Sequence, residues 1–512
     1  MPLHDILRRH GLQRPGATAV VIGGRAVTYG DLVARADRIN AVVAACPRVQ
    51  REQPKLREIP VFGLLMGNHP HVAEFLAAAL VGRCCVLLLD TLLPLKQLHD
   101  ILDRVAPDIL FIAGRPADPF QGFGFPVRSV ETEADLEILL AAAPGPDRHG
   151  SGEDDPFLIA FTSGTTSLPK AFLRNRRSWR KSLAVGRRHF ETGPGLHTLS
   201  PGPLAHGLSL YAFAETLDAG AAFHTLDKFT PQAAWKTIAE NDLQRLVCVP
   251  SVLDALCRHA GHAQDPLKSL AGITTAGAKL EDDLLNRLGK IAPRANVTEY
   301  YGASELGFVT TVSHQPHDGG YTRGGAGVGR AFPGVDIEIR PSREDTADGT
   351  SGTIWVQSAL TIDGYLWRDD LSAFQRDGDW STVGDVGRFD SAGHLHLLGR
   401  ANGMIISGGN NIYPGEIDAC LKNHPAVKEV NTVGLPDTYL GKALVAVLEF
   451  EKDVERPGED ELIEHCAENL QKYKIPRRFL QTGEWPMTAS GKVSTARLVD
   501  WIAEKDERLA VL

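Results

Sequence analysis

"FTSGTTSLPK", residues 161–170, is the stretch on which the reading of this chain turns. Four apolar residues, Phe157 to Ala160, lead into it and read as a buried strand. The run itself resists burial, because Thr162, Ser163, Thr165 and Thr166 carry four hydroxyls. Gly164 lets the backbone bend so that its N–H groups converge, and Lys170 adds a fixed positive charge. A strand running into a hydroxyl-rich loop closed by lysine is suited to hold an anion. It is not a Walker A loop: no second glycine falls between Gly164 and the lysine, and Ala171 follows it where Ser or Thr is required. Taken alone, a polar turn with a chance lysine is the competing reading.

Outward from that loop, short apolar runs alternate with amphipathic stretches through the first 340 or so positions. "PVFGLLM" (60–66), "CCVLLLD" (84–90) and "DILFIAG" (108–114) read as buried strands, with helices over "HVAEFLAAALVG" and "LKQLHDILDRVA" between them. That alternation predicts an α/β fold, a large N-terminal domain of layered, mostly parallel sheets. From about 320, glycine-rich turns and runs such as "GVDIEIRP" and "GTIWVQS" predict a β-rich subdomain over about 320–400. After Arg400 the texture resets. Residues 1–400 are expected as one domain and 401–512 as a small mobile α+β domain.

The whole chain of 512 residues is long enough for several cores. Its net charge of −9 argues against nucleic acid as the main partner, since phosphate backbones call for clustered positive charge. No apolar run reaches membrane-spanning length, and "MPLHDILRRHG" lacks a signal-peptide core. Seven scattered cysteines without a C-x-x-C pair predict reduced thiols, a cytoplasmic protein and no zinc.

Six segments resemble, in order, the motifs of the adenylate-forming superfamily, which contains acyl-CoA synthetases, adenylation domains and firefly-type luciferases. "TSGTTSLPK" resembles its phosphate loop and "YGASELG" (301–307) its Y-G-x-T-E box. "GVGRAFPG" (327–334) is similar to its glycine–proline turn, and "STVGDVG" (381–387) to its T-G-D box. "LLGRANGMIISGGNNIYPGEID" (397–418) resembles the hinge and following loop, and "TASGK" (488–492) the terminal lysine motif.

The resemblance implies attack of a carboxylate on the α-phosphate of ATP, release of pyrophosphate, and transfer of the acyl group to a thiol. Two anions must meet, so positive charge and oriented donors are required. The resemblance then implies the following roles. Thr162, Ser163, Gly164, Thr165, Thr166 and Lys170 grip the β- and γ-phosphates; Glu305 helps hold Mg²⁺. Tyr301 stacks on adenine beside Gly302 and Ser304, with Gly277 and Ala278 along the adenine edge. Asp385 and Arg400 bond the ribose hydroxyls. Lys492 reaches the acyl-AMP oxygens in the first half-reaction and leaves when the small domain rotates about residues 400–403. The face carrying Ser407-Gly408-Gly409 then lines the thiol tunnel. His206 takes the aromatic-box position near the reacting acid.

Departures from the pattern are Ser167, Ala171, Ser304, Val383 for the T-G-D threonine with Thr382 one place earlier, Asn402 and Lys442. Gly207 stands where amino-acid-loading members carry an aspartate, so a free α-amino group is disfavoured. The expected acid pocket, over 206–213, 273–279 and 301–309, is apolar and suits a fatty, aryl or other simple carboxylic acid. The thiol acceptor is CoA, or alternatively the phosphopantetheine of a carrier protein. A non-catalytic nucleotide-binding protein is the reading from another class. A basic run, Arg174, Arg176, Arg177, Arg180, Lys181, Arg187 and Arg188, is either a solvated face or a docking surface for one of those acceptors.

Overall fold

The computed structural model describes residues 3–147, 151–162, 169–260, 266–317, 320–341, 351–367, 374–400, 403, 405–407, 410–437, 440–452, 454–470, 472–488 and 492–512. The chain divides into two compact units. The first holds Met1–Gly325, Phe332–Val335 and Ser358–Asp370; the second holds Ala326–Ala331, Asp336–Gln357 and Leu371–Leu512. The β-rich stretch from Asp336 onward therefore packs with the C-terminal segment, while residues 358–370 return to the first unit.

Two sheets organise the first unit. One runs in the order Val127–Ser129, Ile109–Ile112, Val61–Leu65, Cys85–Leu88, Pro156–Thr162, Lys170–Asn175. Its neighbours are parallel except the last two strands, which are antiparallel. The other has a parallel centre, Thr18–Ile22, Phe223–Thr225, Thr198–Leu199, Arg245–Cys248, Gly272–Ala276, Asn296–Ala303. Antiparallel strands flank it, among them Gly307–His317 beside Asn296–Ala303. The strands expected at 60–66, 84–90 and 108–114 are present, and their runs are buried on both faces as parallel interior strands must be.

Helix placement follows the apolar period. In Leu95–Val105 the buried residues Leu98, Ile101, Leu102 and Val105 make one stripe. Val72–Val81 is apolar nearly all round and is buried along its whole length. It shares one core with helix Gly207–Ala219 and side chains of both sheets, including Phe62, Phe111 and Phe223. Phe75 from the first helix meets Phe111 with ring centroids 4.7 Å apart. Fully burying such a side chain stabilises by about 1.5–3 kcal/mol.

In the second unit, Asp336–Arg340, Gly352–Gln357, Trp380–Thr382, Asp385–Phe389 and Leu395–Arg400 pair antiparallel. A further sheet, Val427–Asp437, Gly441–Phe450, Arg478–Thr482, Leu509–Val511, packs with helices Pro414–Lys422, Glu459–Asn469 and Thr495–Glu504. Among the described residues no helix is long and apolar enough to cross a membrane. All seven cysteines are free thiols.

Candidate active site

Strand Pro156–Thr162 and strand Lys170–Asn175 pair so that Thr162 lies opposite Lys170. The two ends of the hydroxyl-rich loop therefore meet at its neck. Ser163, Gly164, Thr165 and Thr166 lie outside the described residues, as does the side chain of Thr162. Lys170 is half-buried at the start of its strand.

That strand connects directly to the 301–305 box. The Leu366 N–H donates to the Ala171 carbonyl at 2.7 Å, and Phe172 bridges Tyr365. The Tyr365 hydroxyl donates to the Glu305 carboxylate. The Ile362 N–H donates to the Glu305 carbonyl at 2.8 Å, fixing the backbone of the same residue. Arg174 donates to the Ser304 carbonyl at 2.6 Å and to the Leu360 carbonyl. Burial pulls the Arg174 guanidinium down to about 10, against the opposing pull of the Glu305 and Asp363 carboxylates. Residues 358–366 thus clasp the turn that carries Glu305, which is only 7% exposed.

The box depends on bare backbone. Strands Asn296–Ala303 and Gly307–His317 slip register between Tyr301 and Gly302. A Cβ at Gly302 would run into the Gly307 carbonyl, and Gly307 itself has φ +75°. Tyr301 is half-buried, and Gly302 and Ser304 are exposed. On the neighbouring strand Ala276 pairs with Tyr300, so Gly277 (φ +93°) and exposed Ala278 come just beyond the strand end, beside Tyr301. Ligand sites of open α/β sheets sit at such carboxyl ends.

The third wall is helix Gly207–Ala219. A Cβ on Gly207 would lie 3.9 Å from Ser304 Oγ, so the helix begins against the box. His206 is its N-cap residue, and His206 Nε2 lies 3.0 Å from Asp90 Oδ2. Burial raises the Asp90 carboxyl, but hydrogen bonds from His206 and the Leu92 N–H outweigh it and hold the group below its usual range. An ionised Asp90 accepts, so Nε2 carries the proton and Nδ1 is left for other contacts.

The first unit therefore brings together Thr162, Lys170, Tyr301, Gly302, Ser304, Glu305, Gly277, Ala278 and His206. The residues present suit Mg²⁺–ATP: a sheltered carboxylate fits a hard cation, and exposed glycine backbone admits close approach of a nucleotide.

In the second unit Asp385 is buried and pairs across the strands with Arg400, whose side chain lies outside the described residues. The Thr382 hydroxyl donates to the Ile354 carbonyl at 2.7 Å and accepts from the Gly384 N–H at 3.0 Å. The displaced threonine thus shapes the left-handed turn before Asp385, while Val383 is buried. Lys492 is exposed at the close of a turn: the Thr488 N–H donates to its carbonyl at 2.7 Å, and its own N–H donates to Thr488 Oγ1. Of the hinge, Gly403 is described and Ala401 and Asn402 are not; of the expected tunnel face, Ser407 is described and Gly408 and Gly409 are not.

The basic run divides. Arg174 serves the box. Arg176 is buried and donates to the Leu80 and Cys84 carbonyls, and Arg180 pairs with Asp218. Arg177 pairs with Glu153 and Asp154 at the surface. Arg174, Arg176 and Arg180 are therefore structural, which removes them from any docking surface; Lys181 and Arg188 remain exposed. The same pattern was visible in the helix period, because Arg176, Trp179, Leu183 and Gly186 fall on one stripe. Tyr365 and Asp90 carried no local signal.

Two α/β layers that gather these groups at strand ends, with an acidic side chain and a lysine-closed loop, define a nucleotide-dependent enzyme class. The chain belongs to the AMP-binding enzyme family, whose model matches residues 7–366; the model for the AMP-binding enzyme C-terminal domain matches residues 416–492. It is 31% identical over 492 residues to the uncharacterized acyl–CoA ligase YhfT of Bacillus subtilis (strain 168), covering 96% of each chain. It is 32% identical over 397 residues to a sulfoacetate–CoA ligase of Cupriavidus necator, covering 73% of this chain and 75% of the relative. Its fold matches ATP-bound MatB from Rhodopseudomonas palustris with TM-score 0.83 at 24% identity, covering 99% of each chain.

Proposed function

We propose that this protein is an acid–thiol ligase that activates a carboxylic acid with ATP and passes the acyl group to CoA. The observation that carries this reading is the linked set Lys170–Phe172–Tyr365–Glu305 and Arg174–Ser304. It joins the neck of an anion loop to a sheltered carboxylate within one unit. The CoA-ligase names of both sequence relatives support the choice of reaction.

In the first step a carboxylate oxygen bonds to the α-phosphorus of ATP and the bond to pyrophosphate breaks. Lys170 and the loop would neutralise the β- and γ-phosphates, and Lys492 the charge building on the acyl and α-phosphate oxygens. Glu305 would hold Mg²⁺, which would supply further charge neutralisation when bound. Tyr301, Gly277 and Ala278 would orient the adenine, and Asp385 and Arg400 the ribose. His206, held by Asp90 through Nε2, would position the acid. In the second step the thiol sulfur bonds to the acyl carbon, its proton is lost, and AMP leaves. The acid lacks a free α-amino group, because Gly207 offers no carboxylate to pair with an ammonium.

Acid-dependent ATP–pyrophosphate exchange tests the first step. Parallel reactions with free CoA and with a phosphopantetheinylated carrier protein test the acceptor. Thioester formation on CoA is expected; exchange followed by transfer to the carrier alone would reassign the acceptor. Nucleotide binding without exchange for any acid would favour the non-catalytic reading.

A further inference from the structure

We propose that the acid-binding recess ends about one helical turn in, at Tyr211 and Phe308, so that it takes a compact acid, a single ring or a short chain, and excludes long-chain fatty acids. This rests on the ligase reading above and narrows its substrate.

The acid must reach the nucleotide beside Ser304 and Glu305, where helix Gly207–Ala219 begins. Along one face of that helix burial deepens steadily: Gly207 is exposed, Tyr211 half-buried, and Glu215 only 2% exposed. These residues are four apart, so each step is about 6 Å along the axis.

At the first step the recess meets aromatic rings. Tyr211 sits edge-on to Phe308 with centroids 5.0 Å apart, and 5.7 Å from Trp179. Buried Phe308 is in turn enclosed by Tyr300 at 4.9 Å, Phe190 at 5.4 Å and Phe332 at 4.6 Å. Tyr300, like Tyr211, keeps part of its surface accessible, as a wall does beside a buried floor.

Tyr211 cannot swing aside freely. Its hydroxyl donates to the Ser182 carbonyl at 2.9 Å, and a Cβ on Gly186 of the adjacent helix would run into that hydroxyl. The two helices pack closely at that glycine, which restrains the Tyr211 ring on that side. One turn deeper lies a buried ion pair, Arg245 with Glu215 at 3.0 Å, with Arg245 also donating to Thr198 Oγ1. A longer apolar tail would have to unseat the tyrosine and then press against that pair, which no alkyl group can satisfy.

The test is acid-dependent pyrophosphate exchange with saturated acids from acetate to palmitate, benzoate and cinnamate, for wild type and for Tyr211→Ala. Wild type should favour a compact acid over decanoate and palmitate by about 100-fold or more in kcat/KM, the scale of discrimination a shaped pocket achieves. Tyr211→Ala should raise the long-to-compact ratio by about 10-fold, the order expected for one emptied apolar subsite. Phe308→Leu provides the same ratio test should Tyr211→Ala fail to fold. A wild-type preference for decanoate or palmitate overturns the inference and leaves the ligase reading intact. Absence of exchange with every acid overturns both.

Discussion

Replacing Arg174 by methionine is the most informative structural perturbation of the site. Its guanidinium makes two charge-assisted bonds to carbonyls, those of Ser304 and Leu360, in a fully buried position. Bonds to charged groups contribute about 1.5–3 kcal/mol each, and each buried carbonyl left without its donor costs about 1–3 kcal/mol. The two scales agree on a loss of about 3–5 kcal/mol, because methionine fills most of the volume but leaves both carbonyls unsatisfied. Lysine retains the charge yet lacks the planar fork that reaches two acceptors, so Arg174→Lys should lose about half as much. Hydrogen exchange at the amides of strands Lys170–Asn175 and Asn296–Ala303 reads this locally, without assuming that a chain of two units unfolds in one step. The KM for ATP should rise alongside, since the same bond positions the turn before Glu305. Loss of protection worth less than about 1 kcal/mol in Arg174→Met would refute a strut role for this residue.

Gly302→Ala should destabilise the box by about 1–3 kcal/mol, since its Cβ would displace the Gly307 backbone, whereas Gly207→Ala should leave thermal stability unchanged; equal melting shifts would contradict the close approach. Lys492→Ala should lower acyl-AMP formation by about 100–1,000-fold while sparing thiolysis of preformed acyl-AMP; equal loss in both half-reactions, measured by single turnover, would remove its assigned role. Burial raises the Asp418 carboxyl to about 7 despite hydrogen bonds from Thr432 and the Lys422 charge, with Glu429 adding to the rise. Its unfolded value is about 3.9, so the native state holds the extra proton between these values. Stability relative to Asp418→Asn should be highest below about pH 4 and fall as pH rises toward about 7. Parallel denaturation curves across that window would contradict this.

The segments of the candidate site were legible in the chain because each is local. The apolar lead into Thr162, the lysine at 170 and the tyrosine–glycine–glutamate spacing of 301–305 each depend on near neighbours. Strands such as Val61–Leu65 and helices such as Leu95–Val105 announce themselves by period. The contacts that hold the site are not local. Tyr365 reaches Glu305 across 60 residues, and Asp90 reaches His206 across 116. Arg174 and Arg176 looked like solvated charge because a run of arginines usually is; a period count would have placed Arg176 on the buried stripe with Trp179. The return of residues 358–366 to the first unit likewise has no sequence mark, since it is a matter of where a strand edge was left to pair.

The central claim is that the acid is activated through its adenylate, and oxygen tracing examines it directly. With the acid labelled by ¹⁸O in its carboxyl group, attack on the α-phosphorus followed by thiolysis leaves one acid oxygen on AMP. Mass spectrometry of the products should find one ¹⁸O in AMP and none in pyrophosphate. Unlabelled AMP, or label in a released phosphate, would contradict the account.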